Sequence, residues 1–415
     1  MLKAFKYRLY PDDSQARLLR QHAGCCRYVF NMGLEYRRKA YRRRGESRGY
    51  GDTVRLLNIM KKEKPWLREA YSQSLQSALR NLDTAYVNFF RDPGHFGYPN
   101  FKRKTSVQSI QYPQNCKVDF QEQKLHVPKI GWVPCIFHRR FEGRMKTVTI
   151  SIEPSGEFHV SILVENEDKI PVVIQQSVKD ESDVLGIDMG VKDLCACSDG
   201  TVFENNRYLA KAEKKLKREQ RRLSRKKKGS ANRNRQRIKV AKINKKIANQ
   251  RKDAVEKATA EIAGKSHAAV AVENLNVKGM VKNHHLAKSV SDASMSAFLT
   301  RLETKCRNKG KTFVKVDRWF PSSQTCSVCG HVNKGIRDLK IREWVCPRCH
   351  TRHERDNNAS INIAREGYRL IARLPMDGGE VTPVEKTALQ QDNQGPAVTD
   401  FAEAGRVLER EATCL

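Results

Sequence analysis

At 415 residues the chain has room for two or three domains of about 150 residues each. Lys and Arg number 79 against 46 Asp and Glu, a net of +33, which calls for a polyanionic partner, nucleic acid by default. No apolar run approaches the roughly 20 residues of a spanning helix, and the start, MLKAFKYRLYPDD, lacks a secretory pattern. Neither a membrane nor a secreted protein is expected, and the 12 cysteines should be reduced in a cytoplasmic setting.

Residues 2 to 10 read as a strand that Pro11 stops, with Asp12 and Asp13 supplying cap chemistry for a helix running toward Arg43. A second helical region follows the loop RRRGESRGYGD. In SLQSALRNLDTAYVNFF, Leu75, Leu79, Leu82, Tyr86 and Phe89 recur at helical spacing and predict one core-facing stripe. From about 105 to 170 the period changes to two. Val148, Ile150 and Ile152, then Phe158, Val160, Ile162 and Val164, alternate with polar residues around the turn EPSGE, a hairpin pattern. With the first strand it predicts a small barrel interrupted by a helical insert. A third region opens near Asp183 with VLGIDMG and DLCACS, joined to a further strand by Asp199-Gly200, and later supplies the strand AAVAVENL and a helix near 291 to 307. After Pro375 the tail is polar and net acidic with no apolar period, so 373–415 is expected to be disordered.

Two carboxylates do not suit the strands that carry them, and a third is a candidate to join them. In VLGIDMG, Val184, Gly186 and Asp188 share one strand face and Leu185 and Ile187 the other, so Asp188 belongs to an otherwise apolar surface. Such an aspartate is costly to bury without a cation or hydrogen bonds. Glu273 ends a strand that is otherwise Ala and Val. Asp356 opens a helix in RDNNASINIAREG, where an N-cap is the simpler reading. Asp on a first strand, Glu on a later one and Asp on the last helix form the set a ribonuclease H-like fold uses to hold two divalent cations at a phosphodiester. Mg²⁺ suits such oxygen ligands, with Mn²⁺ as a substitute. Asp193 reads as a turn residue and Asp317 as structural.

Cys326-x₂-Cys329 and Cys346-x₂-Cys349, sixteen residues apart, have the spacing of a four-thiolate zinc site. Four sulfurs close a tetrahedral shell, so the ion would be structural. His350 and His353 are not needed as ligands and read as surface or nucleic-acid contacts. The other eight cysteines, among them Cys25, Cys116, Cys195 and Cys306, show no framework and read as small buried residues. Between Arg207 and Lys252 there are 21 Lys or Arg and two acids. Leu209, Leu216 and Leu223, then Ile243 and Ile247, give a sparse seam broken by KKKGSANRNR, which predicts a helical hairpin lying along phosphates.

The motifs GIDMGVKD, VENLNV, SVSDASMSAF, RWFPSSQTCSVCG and CPRCHTRHERDNNASINI together resemble the TnpB family, transposon-associated RNA-guided DNA nucleases related to type V CRISPR effectors. The likeness runs from FKYRLYPDDSQ to about Gly367. It implies an α+β multidomain fold: an N-terminal β-barrel (wedge) with a helical insert (recognition), then a C-terminal RuvC or ribonuclease H-like α/β nuclease domain bearing a zinc-binding insertion. The boundaries expected are 1–10 and 96–180 for the wedge, 11–95 for the insert, and 181–320 for the nuclease domain with its basic hairpin at 207–252. The zinc insertion would be 321–352 and the last nuclease helix 353–372. By motif position Asp188, Glu273 and Asp356 match the nuclease triad, Cys326, Cys329, Cys346 and Cys349 the zinc ligands, and KSVSDASMSAF the segment that lids the site.

Tyr50 and Gln76 match positions contacting the transposon-adjacent motif, and Lys214, Lys215, Arg218, Arg221, Arg222, Lys226, Lys227 and Lys228 are the expected guide-RNA contacts. The implied partners are a guide RNA and double-stranded target DNA, with one protein per guide RNA in a prokaryotic cytoplasm at the nucleoid. The implied cofactors are two Mg²⁺ and one Zn²⁺. Two other readings stay open: a guided DNA-binding regulator that does not cut, and an accessory or strand-joining role in transposition.

Overall fold

The computed structural model describes residues 2–166, 178–338 and 340–373. The tail expectation, from residue 374 on, and the end of the expected wedge lie outside the described residues.

The first half of the chain builds one sheet and three helices. Strands β1 (Leu2–Leu9), β2 (Gln108–Tyr112), β3 (Lys117–Asp119), β4 (Lys124–Val127), β5 (Gly131–Ile136), β6 (Arg144–Ile152) and β7 (Phe158–Glu165) pair antiparallel in the order β2-β6-β7-β1-β5-β4-β3. The hairpin of β6 and β7 is the one the alternation predicts, and it turns through Gly156 at φ +92°. β1 pairs with β7 along its whole length, from Leu2 opposite Glu165 to Leu9 opposite Phe158. The predicted barrel is a half-barrel, since among the described residues β2 and β3 are unpaired with each other and form the two edges.

Helices border the β2 edge. Between β1 and β2 the chain forms α1 (Asp13–Arg44), α2 (Tyr50–Glu63) and α3 (Ser72–Arg91). On β2, Gln108 accepts from Arg27 of α1 at 2.6 Å and Gln111 from Asn81 of α3 at 3.0 Å. α1 starts in a capping box, with Asp12 accepting the Gln15 N–H at 2.8 Å, and stops at Gly45 with φ +65°. The α3 stripe is buried at Leu75, Leu79, Leu82 and Tyr86, with Phe89 half-buried at its end. It joins Leu19, Leu34, Ile110, Tyr112 and Val160 in one core, so sheet and helices are one packing unit.

The second half is a five-stranded mixed sheet in the order β10-β9-β8-β11-β12, made of β8 (Val184–Met189), β9 (Asp193–Cys197), β10 (Val202–Glu204), β11 (Ala269–Glu273) and β12 (Thr312–Val316). β11 is parallel to β8 and β12, and β9 is antiparallel to its neighbours. Between β10 and β11 lies the predicted basic hairpin, α4 (Tyr208–Ser224) and α5 (Ala231–Gly264). Short helices α6 (Val277–Lys282) and α7 (Ala287–Ala293) and then α8 (Met295–Asn308) connect β11 to β12. After the cysteine module, with its small strands β13 (Glu343–Val345) and β14 (Arg352–Glu354), α9 (Arg355–Ala372) closes the fold.

The period-two reading of VLGIDMG places the two faces correctly. Leu185 and Ile187 pack with Val270, Val272, Ile262 of α5 and Phe298 of α8. Val184 packs on the other face with Ala269, Ala271 and Ile363 of α9. That face is unusually close to its helix: a Cβ built at Gly186 would come within 2.0 Å of the Ser360 carbonyl and 2.4 Å of the Ala364 nitrogen. Glycine is therefore required there for close approach.

Candidate metal centres and nucleic-acid surface

β8 and β11 are in register with Ile187 opposite Val272, so the next residues, Asp188 and Glu273, stand side by side on neighbouring strands. Asp356 comes from the first turn of α9. Burial, followed by the charges of Glu273 and Asp356, pushes the Asp188 carboxyl well above the usual carboxylate range. Glu273 is also pushed up by burial, with the Ser322 hydroxyl, which donates at 2.6 Å, working the other way. Asp356 pairs with Arg342 at 3.2 Å. The neighbouring Arg355 directs its guanidinium to the carbonyls of Asp338 and Ile336, at 2.6 and 3.2 Å. Arg342 and Arg355 offset only part of this push on Asp188, and the side-chain atoms the three carboxylates could offer an ion are all oxygen, the ligand type that Mg²⁺ or Mn²⁺ would take.

The cysteine module meets a stricter geometric test. Among the described residues, only Cys326, Cys329, Cys346 and Cys349 bring ligand atoms within 4.8 Å of one another. Sulfur separations are 3.6 Å for Cys326–Cys349 and for Cys329–Cys346, too long for disulfides. A tetrahedral ion with sulfurs at about 2.3 Å sets them about 3.8 Å apart, so the thiols fit Zn²⁺. Cys349 is held down to about 6, first by the Thr351 hydroxyl and then by its backbone N–H.

His353 departs from the sequence expectation. It is buried against Trp344, with Nε2 3.0 Å from the Cys326 sulfur, because its place on β14 points it inward behind the module. His350 is exposed, as expected. Asp317 is structural, accepting the Trp319 N–H at 2.8 Å. Asp193, expected as a turn residue, is instead the first residue of β9, opposite Glu204 of β10.

The module is tied to α9 by residues that sequence reasoning missed. Asn358 accepts the Ser327 N–H at 2.9 Å and donates to the Thr325 carbonyl at 2.7 Å. Asn362 donates to the Ser322 and Thr325 carbonyls at 2.8 and 2.6 Å. These asparagines, with Arg355, fix the loop that carries Ser322 and the helix that carries Asp356. The repeated Asn of DNNASIN was the available signal, because an amide on a buried helix face needs partners.

The basic hairpin is pinned from inside, leaving its cations outward. Buried Glu219 of α4 accepts from Gln236 of α5 at 2.7 Å, and Arg233 donates to the Leu223 carbonyl at 2.7 Å. Lys214, Lys215, Arg218, Arg221, Arg222, Lys227 and Lys228 are exposed, and Lys226 is half-buried. The segment at 288–298 forms the end of α7 and the start of α8. Its buried Asp292 accepts from Arg251 of α5 at 2.7 Å and from the Leu209 N–H at 3.0 Å, joining it to the hairpin. Tyr50 opens α2 with its hydroxyl accepting from Arg80 at 3.2 Å, and Gln76 is half-buried on α3.

Fold and site together define a class: a mixed α/β protein with a carboxylate cluster at its sheet, a four-cysteine module and a large cationic surface. Residues 161–284 match the family OrfB_IS605, described as "Probable transposase", and residues 296–363 match the Cas12f1-like TNB domain. Residues 1–46 match a domain described as helix-turn-helix, although here they form one strand and one continuous helix. A relative from Streptomyces pristinaespiralis, named "Putative RNA-guided DNA endonuclease", is 37% identical over 378 residues, 89% of this chain and 90% of its own. InsQ of Escherichia coli K12, with the same description, is 33% identical over 388 residues, 89% of this chain and 94% of its own. A solved Cas12f1–sgRNA–target DNA complex contains a similar fold, with a TM-score of 0.50 at 18% identity over 85% of this chain and 83% of that one. The chain belongs to the TnpB family.

Proposed function

We propose that this protein is an RNA-guided DNA endonuclease. It binds double-stranded DNA through a guide RNA derived from a transposon end and cleaves beside a short adjacent motif. The reading is carried by the near full-length likeness to relatives described as RNA-guided DNA endonucleases. Guide pairing then supplies the sequence specificity, and the protein reads only the adjacent motif.

In this reading the half-barrel is the wedge, α1–α3 are the recognition insert, and the five-stranded sheet with α9 is a RuvC-like nuclease domain. Asp188, Glu273 and Asp356 would hold two Mg²⁺, or Mn²⁺. Ions bound there would supply activation of water and stabilisation of the leaving oxygen at the scissile phosphate. The protein's own part is positional. Ser322 fixes one oxygen of Glu273, parallel strands set Asp188 beside it, and the asparagine ties hold the start of α9. The four cysteines would hold a structural Zn²⁺, which would stiffen this support. The exposed cations of α4 lie along the guide RNA, one protein to each guide, and Tyr50 and Gln76 face the adjacent motif. With one such carboxylate cluster among the described residues, the two strands are cut in turn.

The test is cleavage of a plasmid bearing the guide-matched site by the protein purified with its RNA. Wild type should linearise it in Mg²⁺, and Asp188→Ala or Glu273→Ala should bind the site without cutting. Cutting by either variant at the wild-type rate refutes the site, and an inert wild type refutes the reading.

A further inference from the structure

The motif RWFPSSQTCSVCG includes one residue with no role so far. β12 ends at Val316, directly opposite Glu273, and the Asn274 N–H donates to the Val316 carbonyl at 2.9 Å. The chain then leaves the sheet for five residues, 317 to 321, and returns at Ser322, whose hydroxyl donates to Glu273 at 2.6 Å. Both ends of this short loop are therefore fixed to the strand that carries a candidate metal ligand.

At the middle of the loop is Trp319, 83% exposed, the most exposed large apolar side chain among the described residues. Its neighbour Phe320 is half-buried and Ser322 is buried. The exposure does not come from a slack backbone. The Asp317 carboxylate accepts the Trp319 N–H at 2.8 Å, and the Asp317 carbonyl accepts the Phe320 N–H at 3.1 Å. Pro321 then fixes the next φ.

The other tryptophans all have an aromatic neighbour: Trp66 on Tyr28, Trp132 on His126 and Trp344 on His353. Trp319 has none among the described residues. Beside it, Arg318 is exposed and without an acidic partner among the described residues. A bare indole on a hydrogen-bonded backbone, next to a guanidinium with no acidic partner among the described residues, is the pairing that grips single-stranded nucleic acid, the ring stacking on a base and the cation meeting the backbone. Three residues of chain from Val316 span at most roughly 11 Å, and paired strands lie about 4.8 Å apart. The indole's backbone is thus within about 16 Å of Glu273, less than the length of about five stacked nucleotides of one strand.

We infer that Trp319 is a stacking platform which, with Arg318, holds one base of the strand being cut beside the carboxylate cluster. It is a positioning residue, and the inference rests on the nuclease reading above. Guide pairing dominates target binding, so a lost stack should appear in the cutting step and not in affinity for the target.

The experiment is single-turnover cleavage by the RNA-loaded protein on a guide-matched duplex, run with wild type, Trp319→Ala, Trp319→Phe and Arg318→Ala. Asp188→Ala serves as the inactive control. Each active protein is also given duplexes with a single abasic position walked across the cut site. Trp319→Ala should bind target as wild type does and cut about 5- to 150-fold more slowly, the loss of one base–aromatic stack. Trp319→Phe should recover most of the rate. One abasic position, within about five nucleotides of the cut, should slow wild type by a similar factor and leave Trp319→Ala no slower.

An undiminished rate for Trp319→Ala, no recovery by Trp319→Phe, or abasic losses equal in wild type and Trp319→Ala at every position would each overturn the platform. In all three cases wild type still cuts and Asp188→Ala does not, so the nuclease reading stands. An inert wild type, or a cutting Asp188→Ala, would remove both.

Discussion

Gly186→Ala tests whether the carboxylate cluster depends on the contact between β8 and α9. The added methyl would sit 2.0 Å from the Ser360 carbonyl oxygen and 2.4 Å from the Ala364 nitrogen. Both are backbone atoms, so no side chain can rotate away. Restoring an ordinary contact means moving α9 off the sheet by about 1 Å or more. Overpacking of this kind costs about 1–3 kcal/mol in stability, and here the helix that moves carries Asp356 in its first turn. A displacement of about 1 Å at a reacting centre lowers rates by on the order of 100-fold. The expected result is a lowered melting temperature and a plasmid-cutting rate down by about that factor, with RNA loading and guided target binding retained. Gly264→Ala is the control, since a Cβ there meets only the tip of Lys309 at 3.7 Å. If Gly186→Ala melts and cuts like wild type, α9 is not positioned by that approach.

Three further outcomes are expected. Cys346→Ser should lower soluble yield and melting temperature as well as activity, whereas Asp356→Ala should melt near wild type and fail to cut; the reverse pattern would contradict the supporting role of the cysteines. Guide-RNA affinity should fall steeply with ionic strength, and neutralising Lys214, Lys215 and Arg218 should flatten the log–log slope by about one per lost phosphate contact, measured by filter binding. His159 is pushed down to about 4 by burial, then by Lys6, Lys245 and Arg8. The folded protein therefore takes up its proton later than the unfolded chain does. Stability should be lost as pH falls from about 6.5 to about 4 through this residue. His159→Gln should shallow that loss in melting temperature against pH.

Legibility followed sequence separation. Alternation revealed the β6–β7 hairpin and both faces of β8, because adjacent residues carry that signal. Asp188 and Glu273 stood out by breaking it. The strands β2 to β5, three to six residues each, were too short for a period to show. α2 begins at Tyr50, inside a Gly-rich stretch that reads as loop. Ser322 and Arg342 were not visible as partners because the carboxylates they touch lie 49 and 14 residues away. His353 was misread because strand β14, which turns it inward, spans three residues.

α5 has 34 residues, so it is a rod roughly 50 Å long. Near its start it packs against α4, midway Lys245 meets Glu153 of the first sheet's hairpin turn at 3.1 Å, and past its end the chain enters β11. Its length is therefore a phase as well as a distance. Inserting one residue turns everything beyond it by about 100°, which would aim the cationic face of the hairpin away from its present direction while Glu273 stayed in place. Homologous chains that keep both halves should change the length of this helix by whole turns.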